Sequence, residues 1–168
     1  HGTRVAGAIL YGESPPDKGI FDLRYWIQNA RVLDNECKLP TTLFPPEYLR
    51  AVVDHFYKGK RKTRIFNHSI NANVPCRTTH MSAWASEIDR LSFQYDVLFI
   101  VSAGNLSNDR NDAFFPGISQ LLQQKKAYPE YLHEPVCRIA NPAQSLQALT
   151  VGSVAYDEFQ SDGWQSIS

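Results

Sequence analysis

A three-layer α/β/α architecture with a mainly parallel sheet is what this sequence predicts. Two observations carry the prediction. The runs Asp96–Ala103 (DVLFIVSA) and Ala148–Ala155 (ALTVGSVA) are almost continuously apolar, as strands covered by helices on both faces are. Strand patterns also alternate with helical ones, and that order implies right-handed crossovers and parallel pairing.

The elements follow in order. Thr3–Leu10 places Val5, Ala6, Ile9 and Leu10 at helical spacing, with small Gly2, Ala6 and Gly7 suited to close packing. Gly12–Gly19 is a loop marked by Pro15-Pro16. Ile27–Leu33 reads as a strand through Ala30, Val32 and Leu33. After a connection over Pro40–Pro46, Pro46 suits the first turn of a helix, where its missing N–H has no helical partner to lose. That helix runs to about Lys58, with Leu49, Val52, Val53 and Phe56 on one face. Lys58–Lys62 (KGKRK) reads as a solvated turn, since without aromatics it offers little grip on nucleic acid. Arg64–Ile70 reads as a strand. Thr79–Tyr95 reads as a helix with Met81, Trp84, Ala85, Ile88 and Leu91 inward. Between the two apolar strands, residues 106–140 are irregular, with one short helical pattern near Ile118–Lys126. In such a sheet a ligand site lies outside the carboxyl ends of the strands.

Composition narrows the function classes. The chain has 168 residues, 17 basic and 17 acidic, for a net charge of zero. Neutrality argues against coating nucleic acid or an anionic membrane. A hydrophobic share of 43% is too high for a disordered chain. The longest apolar run, Val97–Val101, is too short to span a bilayer. Cys37, Cys76 and Cys137 are odd in number and widely spaced. They read as free thiols, which favours a reducing, cytoplasmic setting, and not as a disulfide framework or a zinc site. The chain opens on His1, with no initiator methionine and no signal-peptide pattern, so position 1 reads as a processing boundary.

Three segments fall where such a fold places chemistry. His1-Gly2-Thr3-Arg4-Val5-Ala6-Gly7 begins a helix, Ser69-Ile70-Asn71 closes one strand, and Ser102-Ala103-Gly104-Asn105 closes the next. Their order and wording resemble the subtilisin-like serine proteases, the subtilases. The family's histidine motif is His-Gly-Thr-x-Val-Ala-Gly; its substrate strand ends in Ser-(apolar)-Gly; its oxyanion asparagine sits in Ala-Gly-Asn. ALTVGSVA resembles the strand that follows.

The resemblance implies an acyl-transfer protease with a polypeptide substrate and no required cofactor. His1 would be the general base, apt because an imidazole titrates near neutrality. Asn105 would donate to the oxyanion, presented by Gly104. Ser69, Ile70 and Asn71, with Ser102, Ala103 and Gly104, would bind an extended peptide by strand addition and wall its specificity pocket. Asn71 stands where the family has Gly, so subsite preference does not carry over. Subtilases often bind calcium at loops, but no calcium-loop spacing occurs around Glu13, Asp17, Asp22, Asp109 or Asp112.

Two family parts are not found in this sequence: the strand bearing the triad aspartate and the Gly-Thr-Ser nucleophile helix. Asp34, Ser69 and Ser102 sit in the wrong segments to replace them. The expectation is therefore an incomplete subtilase domain over residues 1–168, inactive alone and prone to self-association through uncovered surface. A non-catalytic peptide-binding module is the alternative. A nucleotide-binding domain is disfavoured, since no Gly-x-Gly-x-x-Gly or Walker sequence occurs. His55, His68, His80 and His133 read as packed or solvated residues.

Overall fold

The computed structural model describes residues 2–12, 17–19, 22–23, 25–36, 38–72, 74–107, 115–153, 158–161 and 164–167, the last two segments as backbone. The chain divides into two compact units, residues 1–63 and 64–168.

In the first unit, helix α1 (Gly2–Tyr11) buries no residue. A Cβ added to Gly2 or Gly7 would meet open space. Helix α2 (Pro45–Lys58) opens with two prolines in its first turn. Glu47 near its start and His55 and Lys58 near its end complement the helix dipole. Tyr48, Leu49 and Val53 are buried, while Val52 and Phe56 are half-buried. Beyond it, the Lys58–Lys62 run is the turn expected: Lys62 N donates to Gly59 O at 3.1 Å and Thr63 N to Phe56 O at 3.1 Å.

Ile27–Leu33 is not a strand. A strand needs a ladder partner, and among the described residues none pairs with it. Its neighbour Tyr25 is 67% exposed. The segment is instead tied by side chains: Arg61 stacks over the Trp26 ring at 4.0 Å, and Thr63 Oγ1 donates to Gln28 Oε1 at 2.6 Å.

The second unit holds a parallel sheet of β1 (Ile65–His68), β2 (Leu98–Ser102) and β3 (Leu149–Val151), in that spatial order. The register aligns Ile65 with Leu98, His68 with Val101, and Ser102 with Val151. Laterally aligned residues share a face, so Phe66, His68, Phe99 and Val101 point one way, and all four are buried. Phe66 and Phe99 stack across the strands at 5.4 Å. Helix α3 (Ala83–Tyr95) covers this face: Trp84 meets His68 edge-on at 5.4 Å, and Ile88 and Leu91 are buried with it. The opposite face leaves Ile65 62%, Leu98 40%, Leu149 53% and Val151 48% exposed.

Helix α3 begins four residues later than its hydrophobic pattern. Ser82 sets the boundary, accepting from Ala85 N at 3.1 Å, so Met81 stands before the helix. Its other end stops at Asp96, in the left-handed conformation at φ 50°. Buried Glu87 is held by a forked pair from Arg90, at 3.0 and 2.6 Å. Within 106–140, the described residues form helix α4 (Ile118–Gln123) and two 3₁₀ turns, Glu130–His133 and Pro135–Cys137. A hairpin of β4 (Glu158–Ser161) and β5 (Trp164–Ile167) pairs antiparallel; no hydrophobic alternation announced it.

Candidate functional site

Parallel alignment of β1 and β2 brings their carboxyl ends side by side, so Ser69–Asn71 and Ser102–Asn105 emerge as neighbours. A side-chain bond joins them: Asn71 Nδ2 donates to Ser102 Oγ at 3.5 Å. The same hydroxyl accepts from Gly104 N at 3.2 Å, which bends the chain just after the strand. Ser69 Oγ accepts from Asn67 Nδ2 at 2.7 Å. Among the described residues, both serine hydroxyls thus bond amides and not an imidazole, unlike an activated nucleophile.

Ala103 is fixed from both sides. Its N–H donates to Val151 O at 2.8 Å, and its carbonyl accepts from Ala140 N at 2.7 Å. Gly104 then takes φ +103°, a conformation that L side chains rarely adopt. A Cβ there would overlap the Cβ of Ala140 and lie 3.3 Å from its backbone nitrogen. Glycine is therefore needed for conformation and for space, and it delivers Asn105 to an exposed position at the strand end.

The segment 139–141, hidden in what the sequence presents as irregular chain, completes the site. Ala72 N donates to Asn141 O at 2.7 Å, Asn141 N to Val74 O at 3.2 Å, and Cys76 N to Ile139 O at 2.8 Å. A cavity of about 130 Å³ opens between this short ladder and the Gly104 turn, bordered by Ala72, Gly104, Asn105, Cys137, Arg138 and Ala140. Helix α3 holds the far side of the segment at two points. Ser82 Oγ donates to Asn141 Oδ1. Asp89 accepts from Ser145 Oγ, from Leu146 N at 3.2 Å and from Gln147 N at 2.9 Å. Sequence reasoning missed Ser82, Asp89 and Ala140.

Electrostatics separate the titratable groups nearby. Burial pushes His68 down to about 4, although backbone hydrogen bonds at His68 and Ile70 pull it upward. His68 is thus a neutral packed residue that anchors the turn carrying Ser69–Asn71. Burial raises the pKa of the Cys137 thiol, and the Glu134 carboxylate adds to that. A raised thiol is a poor nucleophile at neutral pH, so Cys137 does not make the cavity a cysteine-protease site. Among the described residues, no three His, Cys, Asp or Glu side chains converge as metal ligands, and no helix is long and apolar enough to cross a membrane. His1, the expected base, lies outside the described residues, directly before α1 in the first unit.

Comparison with known proteins agrees with these features. The model of the subtilase family matches residues 1–165. The uncharacterized protein y4bN of Sinorhizobium fredii is 34% identical over 83 residues, covering 49% of this chain and 17% of that protein. The chain therefore spans well under two thirds of this relative's length. No solved structure matches. With its parallel α/β sheet, its paired strand ends and a family match over nearly its whole length, the chain belongs to the subtilase family of serine peptidases.

Proposed function

We propose that this chain is the central portion of a serine endopeptidase that cleaves peptide bonds through an acyl-enzyme. His1 takes the proton from a serine hydroxyl as it attacks the scissile carbonyl, then returns it to the leaving amine. Asn105 donates its side-chain amide to the oxygen that becomes negative in the tetrahedral intermediate. Ser69–Asn71 and Ser102–Gly104 flank an extended substrate, whose backbone adds alongside the chain between them. The triad aspartate and the nucleophilic serine come from polypeptide outside residues 1–168, so this stretch alone turns over no substrate.

The observation that carries the reading is the Gly104 turn, which holds Asn105 at the mouth of a cavity beside the substrate segment. The experiment compares residues 1–168 with the longest natural form of the protein, each treated with a serine-directed fluorophosphonate probe and a casein substrate. Labelling and hydrolysis confined to the longer form are expected. Stoichiometric labelling of a serine within residues 1–168 would refute the division of the triad. A longer form that binds peptides but is neither labelled nor hydrolytic would favour a non-catalytic binding module.

A further inference from the structure

The cavity beside Asn105 does not end at the ladder formed by 72–76 and 139–141. A second cavity, of about 380 Å³, opens beside it, with Val74, Pro75, Arg77, Phe115, Pro135 and Arg138 in its wall. Val74, Pro75 and Arg138 border both cavities. Arg138 therefore stands where the two meet, and Arg77 adds a second positive charge to the larger one.

Among the described residues, the charge in this place is uncompensated. None of the described residues lining either cavity is Asp or Glu. Among the described residues, no carboxylate pairs with Arg138 or Arg77. Glu134, the acidic residue nearest in sequence to Arg138, is engaged by Lys126. Arg77 donates to His80 Nε2 at 3.2 Å, and the other ring nitrogen of His80 meets Thr79 Oγ1 at 3.1 Å. That contact uses one of five guanidinium N–H groups and neutralises nothing. Thr78 and Thr79 also line the larger cavity, and its apolar members Val74, Pro75, Phe115 and Pro135 can cover the methylene stem of a side chain whose head reaches a guanidinium.

From this arrangement we infer that Arg138, assisted by Arg77, selects an acidic side chain in the polypeptide bound at Asn105. This deepens the peptide-cleft reading above and rests on it. The carbon bearing the selected side chain neighbours the carbonyl held by Asn105, and the cavity bordered by both Asn105 and Arg138 is the one that side chain enters. A guanidinium matches a carboxylate in shape, presenting two parallel N–H groups to its two oxygens. An uncharged or basic side chain in the same place would leave the arginines without a partner or face them with like charge.

The test uses residues 1–168 and fluorescein-labelled Ala-Ala-Ala-Xaa amides, with Xaa as Glu, Gln, Leu or Lys, read by fluorescence anisotropy. Binding needs no turnover, so its result is independent of whether the longer protein hydrolyses peptides. The Glu peptide should bind about fivefold tighter than the Gln peptide, the discrimination expected of a partly solvated ion pair. Arg138→Gln should abolish that ratio and Arg77→Gln reduce it. Arg138→Glu should turn the preference toward Lys, a gain that misfolding cannot imitate. Lys60→Gln removes the same charge from the first unit and should leave the ratio unchanged. Equal binding of Glu and Gln, no binding of any peptide, or an equal loss in Lys60→Gln would overturn the inference. The acyl-transfer reading would still stand or fall on fluorophosphonate labelling of the longer form.

Discussion

Gly104 and Ala140 touch so closely that a single methyl group on the glycine would occupy the space of the alanine side chain. The turn behind β2 and the segment before β3 are thus fitted to each other through a missing side chain. Gly104→Ala should cost about 2–4 kcal/mol, combining strain at positive φ with overpacking. Urea denaturation checks this. Adding Ala140→Gly should restore the packing share and leave the conformational share.

If the longer form is the proposed endopeptidase, Asn105→Ala should lower its kcat by roughly 10²–10³ while KM changes little. That magnitude is the one known for subtilisin, a member of the same family, on loss of its oxyanion asparagine. Steady-state kinetics on a chromogenic peptide would read it. A raised KM with kcat unchanged would place Asn105 in substrate binding instead.

His68 should make the fold acid-sensitive. Its pKa is about 4 in the fold against 6.5 when unfolded, so between those values the unfolded chain gains a proton that the folded chain refuses. Stability is then full above pH 6.5, falls as pH drops toward 4, and levels off below. The limiting loss is about 3 kcal/mol. His68→Phe keeps a ring against Trp84 and should flatten this part of the pH–stability curve, measured by urea titrations at stepped pH.

Removing the Asp89 carboxylate takes the acceptor from the exposed Leu146 and Gln147 N–H groups and from the Ser145 hydroxyl. Asp89→Ala should destabilise by about 2 kcal/mol, with Ser145→Ala costing less. Thermal unfolding of the two variants would rank them. Equal effects would show that the backbone bonds contribute little.

The sheet face opposite α3, with Ile65, Leu98, Leu149 and Val151 exposed among the described residues, is an apolar patch of the kind that drives association. Residues 1–168 should run larger than a monomer in sizing chromatography, and Leu98→Lys with Leu149→Glu should shift them toward monomer. A compact monomer for the unaltered chain would count against this.

Much of the sheet was legible because its strands are written as nearly unbroken apolar runs, as at Leu98–Ser102, although only the Phe99 and Val101 face of that strand is buried. Strand ends carrying Ser69–Asn71 and Ser102–Asn105 were legible through motif and order. Ile27–Leu33 misled, since local apolarity says nothing about whether a ladder partner exists. Helix α3 started late because a hydrophobic stripe extends past the point where Ser82 caps the backbone. Ala140 and Asp89 stayed hidden for a different reason. Their roles depend on distant residues, Gly104 for the one and Gln147 for the other, and no spacing within a segment reports such partners. The hairpin of β4 and β5 lacked the alternation that marks a half-buried strand.

The two side chains by which α3 grips the segment 141–147, Ser82 and Asp89, lie seven residues apart, about 10 Å along the helix axis. These bonds tie the segment to the helix at both ends of that span. The amides of Leu146 and Gln147 should exchange with deuterium at the rate of α3 opening, as one cooperative unit. The cavity beside Asn105 then inherits its dimensions from a helix that supplies none of its wall. Its selectivity could be retuned from behind, by repacking α3, without altering one residue of the cavity lining.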